Sequence, residues 1–199
     1  RSYGSRIDAL AETFLTKESS DLYDMLRYFM GFTDERLQPV KQVAGKRFRP
    51  ALLLFIADAF DCLEDAKPAA LSIELFHNFS LIHDDIEDND ELRRGRPTVW
   101  KLWGVNKAIN AGDAQLVLAF EALMLMSTQS STYRPLAQFL MTRYREVIEG
   151  QHLDFTLTDA DIEDTMVSEQ TYLAMLGKKS ASLIGATTAT AGYIAERST

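Results

Sequence analysis

Five carboxylates within seven residues, Asp84, Asp85, Glu87, Asp88 and Asp90, run almost directly into three arginines, Arg93, Arg94 and Arg96. On a helix, Asp84 stands over Asp88, and Asp85 pairs with Asp88 on the flank of that face. Like charges at that spacing destabilise a helix by about 0.2–0.5 kcal/mol per pair. A hard cation reverses the penalty, and Mg²⁺ is commonly held by one or two carboxylates together with substrate phosphates. The arginines suit the same partner, because a guanidinium grips phosphate through paired hydrogen bonds. The stretch from Leu81 to Pro97 therefore reads as a metal–diphosphate site. Glu87 points off the face that carries Asp84 and Asp88 and is expected at the surface.

Other residues point the same way. Lys46 and Arg49 precede a helix N-terminus, a location that already favours anions. His77 lies seven residues before Asp84, two helical turns down roughly the same face. Lys178, Lys179 and Ser180 follow an apolar helix, and helical phase favours Lys179, four residues after Met175 and four before Leu183. Gln151 and Asp154 share a face, where they either reach a metal–diphosphate cluster through water or cap their helix.

Four blocks in order resemble the trans-isoprenyl diphosphate synthases, the polyprenyl synthetase family. Asp84-Asp-Ile-Glu-Asp88 matches that family's first aspartate-rich motif, DDxxD, and Leu92 to Thr98 matches the stretch after it. Gly45-Lys-Arg-Phe-Arg-Pro50, Glu149-Gly-Gln-His-Leu-Asp154 and Lys179-Ser180 match three further blocks, so the likeness runs from about Gly45 to Ala186. It implies an all-α, isoprenoid-synthase-type helical bundle with a central cavity. It also implies a Mg²⁺-dependent prenyltransferase that joins isopentenyl diphosphate to an allylic diphosphate (dimethylallyl, geranyl or farnesyl).

Carried over residue by residue, Asp84 and Asp88 are the metal ligands, with Asp85 in support. Lys46, Arg49, His77 and Arg94 bind isopentenyl diphosphate, and Arg93 and Lys179 hold the allylic diphosphate. Ser180 stands where the family usually shows threonine; it keeps the hydroxyl but lacks the methyl that stiffens it. Arg47 and Arg96 are left as solvated loop charges, and His83 and His152 as ordinary packing. Phe79 and Ser80, five and four residues before Asp84, set chain length: Phe79 floors the cavity, and Ser80 leaves room that favours a twenty-carbon over a fifteen-carbon product. A homodimer formed by helices such as Asn106 to Ser127 is also implied. Family members carry a second aspartate-rich motif that nothing here matches. The acidic Asp159 to Asp164 precedes the Lys179 helix in an expected loop, so the sequence is expected to be C-terminally incomplete. Two alternatives stay open. A terpene cyclase on this scaffold would not need Lys46, Arg49 and Arg94, and a non-catalytic subunit of a heteromeric synthase would tolerate decay of the aspartates.

The elements that must position these residues are helical. Five prolines and ten glycines interrupt long stretches with apolar residues at three- and four-residue spacing. One or two helices are predicted over Asp8 to Phe32, broken near Ser19-Ser20, then a loop from Gly45 to Arg49 and a helix from Pro50 to about Phe60. Further helices follow over Ala66 to Asp88, Asn106 to Ser127, Pro135 to Leu153 and Ser168 to Glu196, all in one domain spanning residues 1–199. At 46% apolar and 25% charged residues the chain can build one sizeable core. A net charge of −8 argues against nucleic acid, so the arginine clusters need a specific anion. The single cysteine, Cys62, suits a reducing cytoplasm. No run reaches the roughly 18 apolar residues that a membrane span needs. The missing initiator Met suggests a trimmed N-terminus.

Overall fold

The computed structural model describes residues 2–40, 45–126, 131–159 and 167–198. The helices are α1 (Tyr3–Leu15), α2 (Asp21–Met30), α3 (Phe48–Ala59), α4 (Leu63–Glu87), α5 (Val99–Trp103), α6 (Val105–Leu123), α7 (Tyr133–Asp159), α8 (Glu169–Leu176) and α9 (Ser182–Ser198). A small antiparallel hairpin, β1 (Leu92–Arg93) and β2 (Arg96–Pro97), follows α4. The all-α bundle is the expected fold. The predicted ends of the α6 helix at Ser127 and of the acidic segment at Asp164 lie outside the described residues.

Helix α4 is the central element. Its stretch from Ala69 to Phe76 is buried without a break, which sets it inside the bundle rather than on a surface. It packs against α1, α3, α6 and α9. Each fully buried leucine, isoleucine or phenylalanine there contributes about 1.5–3 kcal/mol. Phe76 stacks on Tyr144 of α7 at 3.9 Å between ring centroids, and the Tyr144 and Ser72 hydroxyls share a 2.7 Å hydrogen bond. That bond satisfies both polar groups where water cannot reach.

Two boundaries bear on the site. Helix α7 runs to Asp159, past the predicted end at Leu153, so Asp154 caps nothing. The segment expected as one helix from Ser168 divides into α8 and α9 around a π-helical turn, Gly177–Ala181. Such turns recur at functional sites because the extra residue re-aims side chains.

Candidate active site

The last turn of α4 carries the acidic motif. The helix closes with Asn89 in the left-handed region (φ 55°), Asn89 N–H donating to the Ile86 carbonyl at 3.3 Å and Asp90 N–H to the Asp85 carbonyl at 2.9 Å. Asparagine tolerates that conformation, and the two bonds satisfy carbonyls that the helix end leaves open. The negative end of the helix dipole lies here, so clustered carboxylates are adversely placed without a cation.

Asp84 is half-buried and, among the described residues, its carboxylate makes no hydrogen bond or ion pair. Burial pushes its carboxyl up to about 6, the Glu87 charge adds to this, and Lys179 and Arg93 oppose it. Asp88, one turn on, is exposed. Among the described residues no three His, Cys, Asp or Glu side chains are set to hold a metal by themselves. An unbonded, destabilised carboxylate beside a second one fits Mg²⁺, which shares its coordination with phosphate oxygens and water.

The neighbouring acids depart from the sequence reading. Asp85 is 1% exposed, and its Oδ1 accepts from Arg93 Nε at 2.5 Å. It turns away from Asp84 by one helical step and anchors Arg93 instead of supporting the metal face. Burial raises its pKa, and the Arg93 hydrogen bond pulls it back. Glu87 is exposed but not turned away: it lines the cavity beside Asp84, and its Oε2 accepts from Gln151 Nε2 at 3.3 Å. Three-residue spacing brings it near the Asp84 face, a signal already in the sequence.

A cavity of about 410 Å³ opens between α4, α7 and the π turn. Phe79, Leu81, Val147, Ile148, Phe155 and Leu183 form its apolar walls. Asp84, Glu87, Gln151, Lys179, Ser180, Arg49 and His77 supply its polar groups. Phe79 rests edge-on against His83 and tilted against Phe76. His83 and His152, read as ordinary packing, also stand on the wall. The α7 contribution recurs at three- and four-residue spacing from Ile148 through His152 to Phe155, the stripe by which sequence could have found it.

The basic groups gather at one side. Arg49 Nη1 lies 3.1 Å from His77 Nε2, and its Nε is buried without a partner. Burial holds the His77 imidazole down at about 3, assisted by the charges of Arg49, Arg94, Arg93 and Arg47. His77 is therefore neutral and accepts from Arg49 at Nε2, which puts its own proton on Nδ1. Among the described residues Arg49 has no carboxylate in contact. A desolvated guanidinium with an open donor, surrounded by like charges, stabilises an anion.

Arg94 and Gly95 form the hairpin turn, with φ of 54° and 77°. Positive φ at both positions is what a two-residue type I′ connection requires, and arginine bears strain there that glycine does not. The strained turn lays the Arg94 guanidinium over Gly45: a Cβ on Gly45 would lie 2.8 Å from Arg94 Nη1. Arg93, Arg94, Asp88 and Lys46 stand outside the cavity lining, and Lys46 is exposed. The two arginines expected as solvated are neither. Arg47 is 4% exposed, and Arg96 packs 4.1 Å over the Tyr28 ring while donating to the Thr33 carbonyl at 2.7 Å.

On the opposite side, Lys179 pairs with Asp154 and Lys178 with Glu149. Only Lys179 reaches the cavity. Gly150, between those two carboxylates, lies directly under the π turn; a Cβ there would come within 2.7 Å of Lys179 Cα. The Met175 to Leu183 phase points to Lys179 but omits the extra residue that the π turn accommodates.

Residues 33–199 match the sequence profile described as Polyprenyl synthetase. The chain belongs to the polyprenyl synthetase family. It is 37% identical over 185 residues to a geranylgeranyl diphosphate synthase of Methanosarcina mazei, covering 92% of this chain and 52% of that one. A (2E,6E)-farnesyl diphosphate synthase of Mycobacterium tuberculosis is 45% identical over 131 residues, 65% of this chain and 36% of its own. Among solved structures, a polyprenyl synthetase from Streptomyces coelicolor superposes with a TM-score of 0.83 at 31% identity, covering 94% of this chain and 54% of that one. The geranylgeranyl pyrophosphate synthetase from Geoglobus acetivorans gives a TM-score of 0.80 at 33% identity, covering 98% and 60%. This polyprenyl synthetase-family chain thus spans about half the length of the M. mazei and S. coelicolor relatives. The matched region contains Lys46, Arg49, His77 and the acidic motif through Lys179 and Ser180.

Proposed function

We propose that the intact protein is a Mg²⁺-dependent trans-prenyltransferase that condenses isopentenyl diphosphate with an allylic diphosphate to give a short-chain product. One observation carries the reading: an apolar-walled cavity has carboxylates at one polar edge and a carboxylate-free guanidinium, Arg49, at another. Two differently built anion sites suit two diphosphates, and a cyclase would need only one. The identified relatives include farnesyl and geranylgeranyl diphosphate synthases, which supports the same chemistry.

In this reading the allylic diphosphate lies by Asp84, Asp88, Arg93 and Lys179, and its tail extends past Ser180 toward Phe79. Mg²⁺ held by Asp84 and Asp88 would neutralise charge on the departing diphosphate. Arg93, held by Asp85, and Lys179, held by Asp154, add fixed positive charge aimed at the same leaving group. Isopentenyl diphosphate is held by Lys46, Arg49, His77 and Arg94, so its double bond reaches the allylic carbon as the carbon–oxygen bond breaks. A new carbon–carbon bond forms, and the proton lost from the isopentenyl unit passes to the departing diphosphate. The apolar walls keep water from quenching the cation. Phe79 and Ser80 bound the tail, which favours geranylgeranyl diphosphate with farnesyl diphosphate second.

The same reading includes a homodimer through α6, which leaves Val105, Ile109 and Val117 exposed. Light scattering at micromolar concentration tests it, and a monomer refutes it. Among the described residues no helix is long and apolar enough to cross a membrane. A cytoplasmic location is proposed on the single, unpaired Cys62. The enzymatic test uses the intact protein, isopentenyl diphosphate and each allylic diphosphate, with Mg²⁺ or with chelator. Elongated products that require both substrates and the metal support the reading. A hydrocarbon made from the allylic diphosphate alone would mean a cyclase.

A further inference from the structure

We propose that Arg47, a residue that meets no substrate, is the positioning residue that sets Lys46 and Arg49 for isopentenyl diphosphate. The inference rests on the prenyl-transfer reading and adds a residue to it.

Arg47 lies between Lys46 and Arg49, yet its side chain points inward. It uses its three nitrogens in three directions: Nε donates to Asp8 Oδ1 of α1 at 2.7 Å, Nη1 to Glu74 Oε1 of α4 at 2.8 Å, and Nη2 to the Met30 carbonyl at the end of α2 at 2.6 Å. One guanidinium therefore ties the start of α3 to three other helices. Glu74 is itself held, because Asn78 Nδ2 donates to its Oε1 at 2.9 Å. The Arg47 backbone sits at φ 47°, the left-handed region, immediately before α3. A non-glycine residue persists there when surrounding structure over-determines it, and such positions cluster at ligand clamps. The three bonds supply that constraint.

The consequence for the site is geometric. The left-handed step reverses the chain between Lys46 and Phe48, leaving Lys46 exposed, Arg47 buried and Arg49 beside His77. If the fork let go, the step could relax to an ordinary conformation and re-aim Lys46 and the first turn of α3. Lysine at this position keeps the charge, but its three N–H donors radiate from a single nitrogen and do not reproduce the spread of the planar fork across Asp8, Glu74 and the Met30 carbonyl. The charge of Arg47 also acts on His77 and favours its neutral form, in agreement with this placement.

The test is steady-state kinetics on the intact enzyme carrying Arg47→Lys, Arg49→Ala and both. Arg47→Lys should raise the KM for isopentenyl diphosphate by about tenfold or more, since misplacement by about 1 Å can cost far more than that. The KM for the allylic substrate should stay within about twofold, because its site is built from other elements. In the Arg49→Ala background, Arg47→Lys should add little, since residues acting as one unit are not additive. A purely structural role would lower active enzyme for both substrates and be equally costly in either background; that result overturns the inference. So does an unchanged KM in Arg47→Lys. If Arg49→Ala itself leaves the KM unchanged, the prenyl-transfer reading fails and the inference falls with it. Should Arg47→Lys not fold, Asp8→Asn loosens only the most exposed arm of the fork. It should raise the same KM by about threefold, and no change there overturns the inference.

Discussion

Asp84→Asn should make the metal-free protein more stable at neutral pH. The Asp84 carboxyl is raised from 3.8 to about 6 when folded, chiefly by burial and then by the Glu87 charge. A folded value above the unfolded one means that the folded chain binds the proton more tightly. The associated stability is present in full below about pH 4 and is lost as pH rises through about 6. A displacement of about two pH units corresponds to at most about 3 kcal/mol. The side chain is partly exposed, so solvent screening reduces this to about 1–1.5 kcal/mol. For a chain of this size each kcal/mol moves Tm by about 2–4 °C, so Asp84→Asn should raise Tm by about 2–6 °C at pH 7.5. The gain should vanish at pH 4, where wild-type Asp84 is already neutral. Thermal melts in chelator at both pH values, read by circular dichroism, decide it. With Mg²⁺ and inorganic pyrophosphate the order should reverse, because only the wild type gains by binding. An Asp84→Asn protein no more stable than wild type at pH 7.5 in chelator would refute the burial argument.

His77 titrates with the opposite consequence. Its folded value of about 3 lies below the ordinary value of 6.5, so its stability contribution is complete above about 6.5 and is lost as pH falls toward 3. His77→Gln keeps an acceptor for Arg49 and should flatten that acid limb by about 2–3 kcal/mol, measured from urea midpoints at pH 7 and pH 4. Gly150→Ala forces a Cβ into the backbone at Lys179, and overpacking of that kind costs about 1–3 kcal/mol. It should lower Tm and raise the KM for the allylic substrate; an unchanged KM would separate Lys179 from that site. Phe79→Ala should open the cavity floor and lengthen the product by at least one five-carbon unit. Chromatography of dephosphorylated products checks this, and an unchanged distribution refutes it.

Helical periodicity made the bundle legible, because alternation of apolar and polar residues records which face is buried. It located α4 and put Asp84, Phe79 and His77 on one element, and it selected Lys179 over Lys178. What it missed depends on partners far away in the chain. Arg47 and Arg49 look alike in sequence, and Arg47 is drawn inside by Asp8, the Met30 carbonyl and Glu74, 39, 17 and 27 residues away. Arg96 is claimed in the same way by Tyr28 and Thr33. Asp85 was expected in support of the two metal ligands, and its contact with Arg93 was not legible because spacing records direction around a helix and not which neighbour waits there. The π turn left no periodic signal, because one added residue per helix is smaller than the uncertainty in phase. Gly150 had a signal, a glycine inside a helix, whose reason appears only with the Lys179 backbone against it.

The measurement that tests the central claim most directly is calorimetric titration of each diphosphate into the intact protein, with Mg²⁺ and with chelator. Two sites of different construction predict that isopentenyl diphosphate binds in chelator through Arg49, Lys46 and Arg94. The allylic diphosphate should bind tightly only when Mg²⁺ is present, and Asp84→Ala should abolish that dependence. Competition of both ligands for one site, or an equal metal requirement for both, would contradict the account.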